Sequence, residues 1–486
     1  MTEKEILDRR LNLLRLSLQL PVPSSEAAPN NISPSPVDHD TQVLFDVRVA
    51  GQRAKLLHAT AAEFRLPLNS SEARNRRDEN YKIPERIAAD LNKLFPNSGA
   101  PLWLVFGPPT GYLRLIPWER LLGARLRLPM LRLPYFDVQP VASRESVDII
   151  LCFSFPIAKQ AEDPNEIVRR FLNVFPKRLA TRTSLHVFAD KTIQPMLTNF
   201  HARYPKYEVK VYDPEQALDY ALLARSNDPD ATEEITNPWL LWMRDALRDR
   251  SIDVAHFVCH GYFGRDHGGL AFAESPVVND DEDWARFVGA RQLAKFLDRT
   301  GAWSAAFSSP PRNFSVGGLR VLQDQLAQLR PGPFLFHDME RDRRGESLNR
   351  AYRLLYLMQR SAPPKSEGVV IYCHPDSAAY QATRQRFRGA EHEFFHDRRA
   401  ASTRAVQEFT LAGRLPQTLE GNEITPSWIA ARQRSLECSL ATIVAEPESD
   451  EQAAKQSGTE TALRFAADVY AKYAVEWAKS LGKEMK

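Results

Sequence analysis

Short, unbroken apolar runs recur between residues 146 and 375, spaced so that a helix fits between one and the next. Val147 to Phe153, Leu185 to Phe188, Val209 to Tyr212, Ile252 to Val258 and Val369 to Cys373 read as strands. Helical spacing appears at Ile167 to Phe175, up to about Tyr204, and around 215–225 and 238–249. Runs that lack polar alternation suit strands covered on both faces, so the pattern predicts a mostly parallel sheet with helices either side.

Upstream the grammar differs. Val43 to Val49 predicts a strand, and Ile83 to Phe95 a helix. Leu102 to Phe106 is a continuous apolar run, Gly107-Pro108-Pro109-Thr110-Gly111 a turn, and Tyr112 to Ile116 an alternating return strand. Together they predict a hairpin against a helix. At the start, Thr2 and Glu5 stand at capping-box spacing and Pro21 follows Leu11 to Leu20, which predicts an amphipathic helix. Pro21 to Asp40 holds five prolines and few large apolar side chains, as an extended linker does. Stretches rich in helix formers at 377–412, 426–443 and 459–481 predict a helical extension. The expected organisation is therefore 1–40 helix and linker, 41–145 an α+β half, 146–375 an α/β core, and 376–486 helical.

Composition narrows the function classes. In 486 residues, 64 Lys+Arg against 61 Asp+Glu leave a net charge of +3, which is not the footprint of a dedicated nucleic-acid binder. Four cysteines, Cys152, Cys259, Cys373 and Cys438, are widely spaced with no CxxC, which argues against a disulfide scaffold or zinc ribbon. The mixed-charge opening is unlike a signal peptide, and no run is long enough to span a bilayer, so a cytoplasmic location is expected. No Walker or Rossmann glycine pattern occurs, and no cofactor is expected. The acidic run Asp280 to Asp283 reads as a solvated loop, and the series Arg120, Arg125, Arg127, Arg132 as an exposed edge.

One peptide carries candidate chemistry. Asp253 to Gly261 is a strand closing on His260-Gly261, which would place an imidazole at the carboxyl edge of a parallel sheet, where α/β sites gather. There His260 could act as a general base or hydrogen-bond a loop. His256, in mid-strand, reads as a core histidine.

These residues resemble a known family. His256-Phe257-Val258-Cys259-His260-Gly261 is similar to the HFxGHG block of CHAT domains, bacterial caspase-like relatives of cysteine peptidases, and Pro117-Trp118-Glu119 to their upstream PWE segment. Gly269 to Phe272, the helix from Ala290, the helix opened by Gly318-Leu319, Pro333 to Asp338 and the helix from Asn349 follow in the family's order. The resemblance, over roughly 100–360, implies a caspase-like three-layer α/β/α sandwich, and a protein partner or peptide substrate in a bacterial defence-type assembly. It also implies a cysteine nucleophile at the end of the strand after the His block. Here that stretch is Trp303 to Pro311, without cysteine, and Ser309 falls at the expected position beside Ser308. A serine hydroxyl needs a well-oriented base and an oxyanion hole, where a thiol needs only a nearby imidazole. Three readings follow: a silent domain kept for binding, a working serine variant with His260 as base, or a cysteine-to-serine change that traps a complex. Cys373 as a substitute nucleophile would require an unusual strand order, and Cys259 faces away from His260.

Beyond the resemblance lies His392-Glu393-Phe394-Phe395-His396. Histidines at i and i+4 share a helix face and can bind Zn²⁺ with the glutamate as base. The flanking Arg386, Arg388, Glu391, Asp397, Arg398 and Arg399 give the segment a solvated character, so the metallopeptidase ranks third among the functional readings.

Overall fold

Leu14, Leu16 and Leu18 are buried while Arg15 and Gln19 are exposed, a period of two. In the computed structural model, which describes residues 11–375 with interruptions (the longest at 20–38, 136–145 and 222–234), this segment is strand β1 (Asn12–Gln19). The expected helix is therefore corrected over Leu11 to Gln19. Alternation along the segment, with neighbours pairing on both sides, outweighs the propensity of its leucines for helix.

β1 lies between antiparallel β2 (Gln42–Val49) and parallel β4 (Leu102–Phe106), with β3 (Gln52–Thr60) beyond β2. Helix α1 (Glu85–Leu94) buries Ile87, Ala88 and Leu91 in the same core. The expected hairpin also fails. Gly111–Leu115 is a 3₁₀ helix, and β4 pairs with β1 and β5 (Met130–Arg132) instead. Pro117 caps helix α2 (Trp118–Leu126).

The α/β core adds parallel strands β6 (Ser146–Ser154), β7 (Arg182–Ala189), β8 (Glu208–Val211), β9 (Val254–Gly264), β12 (Ser304–Ser309) and β13 (Phe334–Asp338). A hairpin arm, β10 (His267–Phe272) with β11 (Arg286–Gly289), pairs onto the outer half of β9. Antiparallel β14 (Val369–Tyr372) borders β13 and meets β5 through Tyr372 and Arg132. The order across the continuous mixed sheet is β3-β2-β1-β4-β5-β14-β13-β12-β9-β6-β7-β8.

Helices cover both faces of the core. On one lie α3 (Pro164–Val174) and α7 (Glu346–Leu355), contributing Ile167, Phe171, Leu348 and Tyr352. On the other lie α4 (Pro238–Ala246), α5 (Ala290–Thr300) and α6 (Val316–Leu329), contributing Trp239, Phe296 and Leu322. Each large apolar side chain so buried contributes about 1.5–3 kcal/mol. α6 lies tight against the β9–β10 arm: a Cβ on Gly318 would sit 2.3 Å from the Tyr262 carbonyl oxygen, so only glycine allows the approach. No helix among the described residues is long and apolar enough to cross a membrane. Residues 21–38 of the linker, the acidic run 280–283, the helical extension after 376 and the HExxH candidates His392, Glu393 and His396 lie outside the described residues.

Candidate functional site

The PWE segment is a structural joint. Trp118 is buried, donates from Nε1 to the Leu113 carbonyl at 2.7 Å, and packs edge-on against Phe45 and Phe64. Glu119 accepts from Arg132 Nε at 2.6 Å, and both side chains are buried. Arg132 also donates to Tyr372, whose hydroxyl donates to Asp324 of α6; Asp324 in turn pairs with Arg114 at 2.7 Å. This knot joins the two halves of the sheet at β5 and β14. Arg132 is thus removed from the expected exposed edge, and Arg120 donates to the Asp78 carbonyl at 2.6 Å. Only Arg125, paired with Glu85, and Arg127 remain exposed.

His260 sits one residue past the last parallel register of β9 with β6, where Ser154 faces Cys259. β9 does not end there: it continues to Gly264 as the base of the arm, with His260 opposite Ala271. The imidazole is half-buried, its centroid 6.0 Å from that of Phe155. On the neighbouring strand Ser308 pairs with Val258, so Ser309 falls level with Cys259. Residues level across parallel strands share a face, and faces alternate along each strand. The pleat therefore puts His256, Val258, His260 and Ser308 on one side of the sheet, and Cys259 and Ser309 on the other. Ser309 is fully buried and donates to the Pro310 carbonyl at 3.4 Å.

The structure brings together a different set. Tyr352 hydroxyl lies 2.6 Å from His256 Nδ1, His256 Nε2 lies 2.8 Å from Ser308 Oγ, and Ser308 Oγ lies 2.9 Å from His337 Nδ1. His337 Nε2 faces Asp342 Oδ2 at 3.4 Å, and Asp342 accepts from the Ser347 and Leu348 amides. His256, Ser308 and His337 have no exposed surface. One proton arrangement fits the three hydrogen bonds, with His337 Nε2 held toward Asp342 by electrostatics alone. Starting from the Asp342 carboxylate, His337 carries its proton on Nε2 and so accepts from Ser308 at Nδ1. Ser308 then accepts from His256 Nε2–H, and His256 accepts from Tyr352. Burial, with His337 beside it, pushes the His256 imidazole well below its ordinary value. Burial works against the Asp342 carboxylate, but the contact with His337 and the two amides outweigh it and hold the carboxyl below its usual range.

None of the cysteines described is poised. Cys152, Cys259 and Cys373 are buried, which pushes each thiol upward and keeps it protonated. Cys373 follows antiparallel β14, where Tyr372 pairs with Phe334 at the start of β13, so it lies at the amino edge of the parallel strands, away from His260. The described residues contain no cluster of His, Cys, Asp or Glu able to hold a metal ion.

Sequence reasoning placed His256 in the core and Ser308 beside the expected nucleophile. It missed their connection through His337, Asp342 and Tyr352, because that depends on the register of β9 against β12 and β13, and no local pattern encodes register. Comparison of the chain with family models, with characterised proteins and with solved structures finds no match.

Proposed function

We propose that the chain is a CHAT-type, caspase-like module without peptidase activity, serving as a protein-binding scaffold in a bacterial defence-type assembly. The observation that carries this reading is the separation of the two residues the resemblance assigns to catalysis: His260 and Ser309 fall on opposite faces of the sheet, and Ser309 is fully buried. Acyl transfer needs nucleophile and base within about 3 Å. The strand carrying the His block and the strand carrying the serine pair are parallel neighbours, as the resemblance requires, which supports the caspase-like part of the proposal.

Ser308, His337 and Asp342 stand in the order of a hydroxyl, its base and an orienting carboxylate. Two features argue against a nucleophilic Ser308: its oxygen is capped on the other side by His256, and it has no surface to offer an acyl group.

The test is proteolysis of a denatured protein mixture, read by mass spectrometry, with three samples: the chain itself, Ser309→Cys, and Ser309→Cys with His260→Ala. No new termini are expected from any of them. Cleavage by Ser309→Cys that disappears with His260→Ala would overturn the scaffold reading and establish a peptidase lacking only its thiol.

A further inference from the structure

A cavity of about 460 Å³ opens beside the carboxyl ends of β12 and β13, a size suited to a side chain with its flanking backbone. Its apolar lining is Val174, Pro311 and Met339, and its charged lining is Glu162 before α3, Arg170 on α3, and Glu340 and Arg343 on the loop between β13 and α7. On the α3 side, Arg170 is already matched: it pairs with Glu162 at 3.1 Å and with Glu166 at 3.4 Å. On the loop side, Arg341 lies outside the lining and pairs with Asp338 at 3.3 Å and with Glu79 at 3.7 Å, which leaves Glu340 and Arg343 as the loop's charged residues at the cavity. Arg343 differs. Its Nε donates to the Glu340 carbonyl at 3.2 Å, and no carboxylate among the described residues pairs with it. Two guanidinium nitrogens at the cavity therefore remain for a ligand, in the fork geometry that suits a carboxylate.

The loop that holds Arg343 is fixed from below. Asp338 accepts from the Glu340 and Arg341 amides, and the Met339 amide donates to the Ser309 carbonyl. Asp342 anchors the start of α7 and faces His337. Gly345 turns the chain at φ +69°, packed so closely on Val174 that a Cβ would lie 2.5 Å from the valine side chain. Asn349 donates to the Val174 carbonyl at 3.1 Å, tying α7 to α3 across the cavity wall. A loop so held loses little freedom when a ligand binds.

We infer that this cavity is a docking subsite for an acidic side chain of a partner polypeptide, its carboxylate paired with Arg343 and its flanking residues resting on Val174, Pro311 and Met339. The inference rests on reading the carboxyl edge of β12 as a protein-binding surface and names what that surface selects.

The test uses three fluorescein-labelled pools of blocked pentapeptides with Glu, Gln or Lys fixed at the centre and mixed uncharged residues elsewhere, titrated against the full chain by fluorescence polarisation. The Glu pool is expected to bind at least about tenfold more tightly than the Gln pool, the worth of one charge-assisted pair. Arg343→Gln should erase that preference and Arg343→Lys should keep part of it. Asn173→Trp, which adds bulk at the cavity lining and keeps the arginine at 343, should weaken all three pools; circular dichroism checks that each variant is folded. Equal binding of the pools, no binding at all, or a preference that survives Arg343→Gln overturns the subsite. Displacement of the Glu pool by an equal concentration of N-acetylglutamate amide would identify a small carboxylate as ligand and overturn the polypeptide assignment. Mass spectra of the incubated pools separate the two readings: intact peptides that bind support both, whereas cleaved peptides refute the scaffold and leave the subsite standing.

Discussion

The two faces of β9 and β12 are built from alternate residues of the same strands, yet they obey different chemistry. On one face Phe257 stacks on Phe307 with ring centroids 6.1 Å apart and meets Phe272 and Phe296 edge-on. On the other, His256 and Ser308 belong to a hydrogen-bonded chain from Tyr352 to His337, which faces Asp342. The aromatic face holds by area and shape and tolerates any packing of similar volume. The polar face needs each of its groups matched to a partner on another element, so it ties the register of three strands to the seat of α7. A strand pair can thus carry most of its stability on one side and most of its specificity on the other.

The largest expected effect breaks the aromatic side. Phe257→Ala should destabilise the chain by about 3–5 kcal/mol in urea unfolding, through lost burial and the cavity left behind. A loss below about 1 kcal/mol would mean the stack is not part of the cooperative core.

Acid should break the polar side. Burial lowers His256 well below its ordinary value, and burial lowers His186 on the opposite face to about 4. The unfolded chain takes up these protons near pH ~6.5 while the fold does not. Stability is therefore full above that value and declines as pH falls toward the folded values, by about 1.4 kcal/mol per pH unit for each histidine. The double variant His256→Phe, Ser308→Ala should lose the share of the slope due to His256 and keep the share due to His186. An unchanged slope in urea midpoints would remove His256 from the account.

Ser308→Ala alone should cost about 1–3 kcal/mol, because it leaves His256 Nε2 and His337 Nδ1 without their shared partner inside the core. A fluorophosphonate probe should leave Ser308 unlabelled in the folded chain. Labelling there would turn the buried chain into a working nucleophile and defeat the structural assignment. The smallest effect belongs to the surface: Arg343→Gln should change stability by no more than about 0.5 kcal/mol, while abolishing the acidic-peptide preference.

How much of this was legible depends on the range of the signal. The strands β6, β7 and β9 and the helix α3 follow from apolar runs and 3.6-residue spacing, which are local, whereas β13 and the helices α5 and α7 are expected from the order of blocks in the resemblance. β1 reads as a helix because Leu11 to Leu20 is rich in helix formers, and only pairing with residues 42–48 and 102–106 makes it a strand. Tyr112 to Ile116 alternates like a strand but curls into a 3₁₀ turn, because β1 rather than a return strand borders β4. Arg132 reads as solvated from its local pattern, but its carboxylate partner thirteen residues upstream is buried with it.

The sequence by itself determined an α/β core with a mostly parallel sheet and the burial of His256, because composition and periodicity record which side chains avoid water. Only the tertiary structure decided that His260 and Ser309 lie on opposite faces, that Ser308 is bound between two histidines, and that Arg343 stands unmatched at a cavity. Each depends on strand register or on how loops distant in sequence approach one another, and a one-residue change of register inverts every facing relation without altering a single local pattern.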